Sequence, residues 1–240
     1  MEQDGKGLVI DCGQLSPGGV VDQAKLDGCE VLLLTHFHRD QCGAASQWVR
    51  EGVQVSIPFS EKRFFEEGDI LRASYDIYDN YPAYFPTFSP LDDVRGEPIT
   101  DYDSISWQGM DFQAIPLPGH TFGSTGYLFE LDGQRMLAVG DVMAAPGKLH
   151  EYYSSQWTYM SFRGHVNLLE SLEAIQRLEV DWILPGHGVP FVAVRSLISR
   201  AGWSSCMKCT MRSRIDPTDR SSRSCQNTCL KWIQQRIPTS

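Results

Sequence analysis

The segment Thr35-His36-Phe37-His38-Arg39-Asp40-Gln41-Cys42-Gly43 sets two imidazoles and a carboxylate at alternate positions. Nitrogen and oxygen donors in this combination suit a borderline divalent metal such as Zn²⁺. A His-x-His pair also arises by chance in polar loops, so the pattern needs support from elsewhere in the chain. Support comes from His120 in Pro118-Gly119-His120-Thr121-Phe122-Gly123-Ser124, Asp141 at the end of Ala138-Val139-Gly140-Asp141, and His187 in Leu184-Pro185-Gly186-His187-Gly188. Each follows an apolar run or lies among glycines, where the backbone turns tightly. His150 and His165 lack that context and read as ordinary surface or helix-flank residues.

Such donors need rigid elements to aim them. Val31-Leu32-Leu33-Leu34 is wholly apolar and too short for a helix, which predicts a buried strand ending at the His36 loop. Leu8–Ile10, Phe112–Leu117, Gly126–Leu131, Met136–Val139 and Trp182–Leu184 are further strand candidates, and Asp132-Gly133 is a hairpin signal. Val53 to Ile57 alternates polar and apolar residues, the pattern of a half-buried strand. Helices are expected at roughly 44–50 and 166–178, the second with Leu168, Leu169, Leu172, Ile175 and Leu178 on one face. Strands alternating with helices imply an α+β arrangement of sheets covered by helices.

Taken in order, these motifs resemble the metallo-β-lactamase superfamily: His36-x-His38-x-Asp40, Gly119-His120-Thr121-x-Gly123-Ser124, Gly140-Asp141 and Pro185-Gly186-His187-Gly188. The resemblance spans about residues 8–190 and implies a four-layer αββα sandwich with a metal site along one edge of its two sheets. It also implies that His36, His38 and His120 hold a first ion, that Asp40 and His187 hold a second, and that Asp141 bridges both. The histidine usual directly after the Asp is here Gln41, whose neutral amide oxygen makes a weaker ligand or only a supporting hydrogen bond. Zinc is the expected metal, as one or two ions, and the second position is expected to accept iron or manganese.

The implied chemistry is hydrolysis. A water on such ions is acidified from ~15.7 towards ~7, and Asp40 is placed to orient it and then protonate the leaving group. Ser124 reads as a structural hydroxyl supporting the His120 loop. Asp141 stands where true β-lactamases of the superfamily carry Cys or Ser, so the resemblance leans towards glyoxalase II-like hydrolysis of a small ester, thioester or lactone. Two alternatives stay open: a mononuclear iron oxygenase of the same fold, and a metal-binding relative without catalysis.

Composition limits the partners. The 240 residues carry a net charge of −9, which disfavours nucleic acid and anionic membranes. No apolar run reaches the ~20 residues of a membrane span, and the polar first residues lack a signal segment, so the cytoplasm is expected. A small molecule is the expected substrate. Residues 1–190 hold 12 bases and 28 acids, whereas residues 191–240 hold 9 and 2, together with Cys206, Cys209, Cys225 and Cys229. A boundary near 190 therefore separates the domain from a basic tail, readable as a flexible tail, a zinc module or an altered reading frame. Residues 75–88 are rich in aromatics that either pack on the domain or wall a pocket. We expect them to border the substrate entrance, with Tyr78, Tyr81 and Tyr84 facing it. Only seven residues precede Leu8, so an N-terminal edge strand is expected to be missing, leaving backbone groups that favour a homodimer.

Overall fold

Two sheets face each other in the computed structural model, which describes residues 1–13, 28–67, 94–148 and 162–193. The aromatic segment with Tyr78, Tyr81 and Tyr84, His150 and the tail with its four cysteines lie outside those residues. The first sheet contains β1 (Glu2–Gln3), β2 (Lys6–Ile10), β3 (Cys29–Leu33), β4 (Gln54–Pro58) and β5 (Glu97–Ile99) in that order. From β2 to β5 its strands are parallel. The second runs β11 (Phe191–Val192), β10 (Trp182–Pro185), β9 (Gln134–Gly140), β8 (Thr125–Leu131), β7 (Met110–Pro116) and β6 (Ser104–Trp107). It is antiparallel except between β9 and β10.

The apolar run at Val31–Leu34 is explained by cover on both faces. Val31 and Leu33 join Leu8, Phe112, Tyr127 and Phe129 in the core between the sheets. Leu32 and Leu34 turn outward under α1 (Arg39–Cys42), α2 (Ala45–Arg50) and α3 (Lys62–Glu66), packing with Cys42, Trp48 and Phe65. On the opposite side Leu137, Val139 and Ile183 pack under Leu168, Leu172 and Ile175 of α4 (Phe162–Arg177). Helices, sheet, sheet, helix: the sandwich has four layers.

Three expectations need correction. β4 is not half-buried, because Ser56 is as enclosed as Val55 and Ile57 between the helices and the other sheet. α4 begins at Phe162, a turn before the apolar periodicity becomes visible. The outer edge of β2 is not bare over its first half. Asp4 and Gly5, both at positive φ, reverse the chain so that Glu2 pairs with Gly7 and Gln3 with Lys6, and Met1 exchanges backbone hydrogen bonds with Leu8. The Asp132-Gly133 turn behaves as its sequence implies, with φ of 53° and 72° joining β8 to β9.

The topology collects loops at one edge. Parallel pairing sets Pro185 beside Gly140, so β9 and β10 end together. Across the sandwich, Thr125 N–H donates to the Thr35 carbonyl at 2.9 Å, and the buried Tyr127 hydroxyl donates to the Leu34 carbonyl at 2.8 Å. The loops after β3, β7, β9 and β10 therefore meet at one edge.

Candidate metal centre

Three imidazoles converge in the loops after β3 and β7. His36 Nε2 lies 3.1 Å from His38 Nδ1, and His120 Nε2 lies 3.1 Å and 2.8 Å from those two atoms. All three rings are buried and mutually edge-on. Asp141 Oδ2 approaches from the end of β9, 3.7 Å from His36 Nε2 and 3.5 Å from His120 Nε2.

A second group opens towards solvent. His187 Nε2 lies 2.8 Å from Asp40 Oδ2 and 3.5 Å from Asp141 Oδ2, so Asp141 belongs to both groups. His38 ends the extended loop and Asp40 sits in the first turn of α1, which turns its side chain back towards the edge. Gly186 is required here, because a Cβ at that position would meet Asp141 Oδ1 at 2.5 Å. A cavity of about 360 Å³ adjoins this group, with Asp40, Gln41 and His187 on one side and Ile10, Ala138 and Leu184 among its apolar walls.

The first group fits a divalent cation on its own chemistry. His36 Nδ1 bonds Thr35 Oγ1 at 2.9 Å, and that hydroxyl donates to Asp11 Oδ2 at 2.9 Å. Thr35 Oγ1 thus accepts a hydrogen bond from Nδ1–H, leaving a lone pair on His36 Nε2 that faces the other rings. Burial holds His36 well below the usual histidine range, with His38 and His187 adding to the effect. Lone pairs on neighbouring nitrogens repel unless a cation lies among them. The spacing approaches the ~3.4 Å between ligand atoms of a tetrahedral ion with bonds of ~2.1 Å. Burial and neighbouring carboxylates together raise Asp141 to about 7 and Asp11 to about 8, so the metal-free centre favours protonated acids, and a cation would displace those protons.

Gln41 takes a hydrogen-bonding orientation. Its Nε2, rather than its carbonyl oxygen, turns inward, 3.2 Å from Asp141 Oδ1 and 3.0 Å from His187 Nε2. The acceptors around it attract the donor end of the amide. Ser124 has the supporting role expected of it, accepting the Thr121 N–H at 3.0 Å within the His120 loop.

All six sequence-derived ligand candidates, His36, His38, Asp40, His120, Asp141 and His187, therefore stand in two adjoining groups. Sequence reasoning passed over Asp11 and Thr35. A carboxylate directly after an apolar strand was the available signal for Asp11, as it was for Asp141. It also passed over Glu61, which no local pattern marks.

A sequence model of the Metallo-beta-lactamase superfamily matches residues 1–187. The chain belongs to that superfamily. Among curated members, the hydroxyacylglutathione hydrolase of Aeromonas salmonicida is 30% identical over 142 residues, covering 58% of this chain and 43% of that protein. The corresponding enzyme of Vibrio campbellii is 26% identical over 144 residues, covering 60% and 45%. This superfamily member thus spans less than half the length of the curated relatives it matches. A metallo-beta-lactamase family protein of Thermus thermophilus superposes with a TM-score of 0.65 at 17% identity, over 88% of this chain and 74% of that one. A subclass B3 metallo-beta-lactamase of Bradyrhizobium japonicum gives 0.61 at 15% identity, over 90% and 85%. At such identities the structural likeness speaks for the superfamily fold alone.

Proposed function

We propose that this chain is a metal-dependent hydrolase of a small thioester, with esters and lactones as the neighbouring substrate classes. The observation that carries the reading is the convergence of His36, His38, His120 and Asp141 beside a second, open group of Asp40, Asp141 and His187. The relatives named hydroxyacylglutathione hydrolase favour the thioester, since an acylglutathione is one. The cavity size and its apolar wall suit a small acyl group.

His36, His38 and His120 would hold one divalent cation, zinc by donor set, with Asp141 shared towards a second held by Asp40 and His187. When bound, the ions supply an acidified water and polarise the scissile carbonyl. The protein's own part is positional. Thr35 and Asp11 fix the His36 tautomer, and the buried walls exclude bulk water from the imidazoles. Asp40, partly exposed beside the cavity, would hold the proton that the thiolate leaving group needs. Cys12, Cys29 and Cys42 are free thiols, which supports a reducing compartment such as the cytoplasm. Among the described residues no helix is long and apolar enough to cross a membrane.

The test uses the full chain loaded with zinc, assayed on acyl thioesters, aryl esters and lactones. We expect thioester turnover that a chelator abolishes and zinc restores, and at least a hundredfold loss in Asp40→Asn. Metal-loaded protein inert on the whole panel would overturn the reading. So would oxygen uptake by an iron-loaded preparation without hydrolysis, the outcome an oxygenase would give.

A further inference from the structure

We propose that Glu61 is a positioning residue for the first metal group, clamping the loop of His36 and His38 to the loop of His120. Glu61 ends the 3-10 turn Phe59–Glu61 after β4 and is wholly buried. Its Oε2 accepts the N–H of Phe37 at 2.9 Å, the residue between the two histidines. Its Oε1 accepts the N–H of Gly123 at 3.0 Å and the hydroxyl of Thr121, which follows His120 directly. One side chain therefore ties together two loops 84 positions apart in sequence, whose imidazole nitrogens must meet.

The choice of residue has a chemical reason. All three partners are donors, and an ionised carboxylate, the form of Glu61 above pH 7, is the side chain that offers acceptors alone. A glutamine there would turn an NH₂ towards at least one donor and leave that buried group unsatisfied. The approach is too close for adjustment. A Cβ on Gly123 would lie 2.3 Å from Ser60 Oγ and 2.6 Å from Glu61 Cγ. The following helix repeats the grip with aromatic surface: the Phe64 ring lies 5.0 Å from both Phe37, which it stacks against, and Phe122. Phe37 and Phe122 adjoin the ligands of each loop, so the segment 59–66 holds both loops by a charged contact and an apolar one.

This inference rests on His36, His38 and His120 being metal ligands, and not on the identity of the substrate. It is tested in the full chain by zinc competition against a chromophoric chelator and by the visible spectrum of the cobalt(II)-substituted protein. Glu61→Gln is expected to weaken the tightest zinc site by about ten- to a hundredfold and to alter the cobalt spectrum. Ile175→Ala, which cuts a cavity under α4 on the far face of the other sheet, is expected to lower stability while leaving both readouts unchanged. Unmodified zinc affinity and cobalt spectrum in folded Glu61→Gln would overturn the proposal, as would an equal change in both variants. If Glu61→Gln does not fold, Thr121→Val removes one donor and leaves the carboxylate; several-fold weaker zinc binding is expected, and unchanged binding would overturn the clamp. Failure of the unmodified chain to bind zinc at all would remove the metal reading itself, a result distinct from the loss of Glu61's role.

Discussion

Gln41 brings an amide into a cluster otherwise made of carboxylates and imidazoles, and its nitrogen has no lone pair to give a metal. With Nε2 directed at Asp141 and His187, it stabilises that group by hydrogen bonds and would leave a second cation to Asp40, Asp141 and His187. The first group has three imidazoles and is therefore expected to fill first. Replacing Gln41 by His adds a neutral nitrogen donor at the position that now offers N–H. The second equivalent of zinc is expected to bind about tenfold more tightly or better, read by calorimetry with elemental analysis. Two equally tight equivalents in the unmodified protein, unchanged by the substitution, would show that Gln41 does not limit the second position.

At the scale of elements, the centre is held by strand ends and by the helices that cover them. α4 has no residue in the cluster, yet Gly119 at φ 145° lets the His120 loop press onto it, where a Cβ would lie 2.7 Å from the Leu168 backbone. Ser171 Oγ donates to the Pro118 carbonyl at 2.7 Å from the same helix. Ile175, further along, is buried against the sheet with no such link. Ile175→Ala should cost about 2–5 kcal/mol by the lost burial and the cavity left behind, measured as a shift in the urea midpoint without change of slope. The apolar face of α4 was legible because a helix repeats every 3.6 residues. The short strands β5, β6 and β11 were not: each is two to four residues long, too few for periodicity to register.

For the molecule as a whole, the buried acids make stability depend on pH when no metal is bound. Burial raises Asp11 to about 8 and both Asp141 and Glu61 to about 7, above the ordinary 3.8 of the aspartates and 4.5 of the glutamate. The fold therefore retains protons that the unfolded chain releases. The stability so gained is full below the ordinary values and is lost as pH rises to the folded ones. His36, held below its ordinary 6.5, opposes this only at lower pH. Between pH 6.5 and 8 the metal-free protein should become less stable, and Asp11→Asn should flatten part of that decline. Urea unfolding of chelator-treated protein at the two pH values measures it. A decline that is equally steep in the variant would place its origin elsewhere.

The sequence by itself determined the ligand candidates, their order and the strands that carry them. Histidine and aspartate next to glycine at the ends of apolar runs announce both a chemistry and a place in the fold. The tertiary structure alone decided what surrounds them. That β9 and β10 run parallel, that Tyr127 reaches across to Leu34, that Gln41 turns its nitrogen inward, and that Glu61 spans two ligand loops all depend on contacts between residues far apart in the chain. Periodicity reports only which side of an element is apolar. A buried glutamate in Ser60-Glu61-Lys62-Arg63 looks like any surface acid until the donors of two distant loops are folded around it.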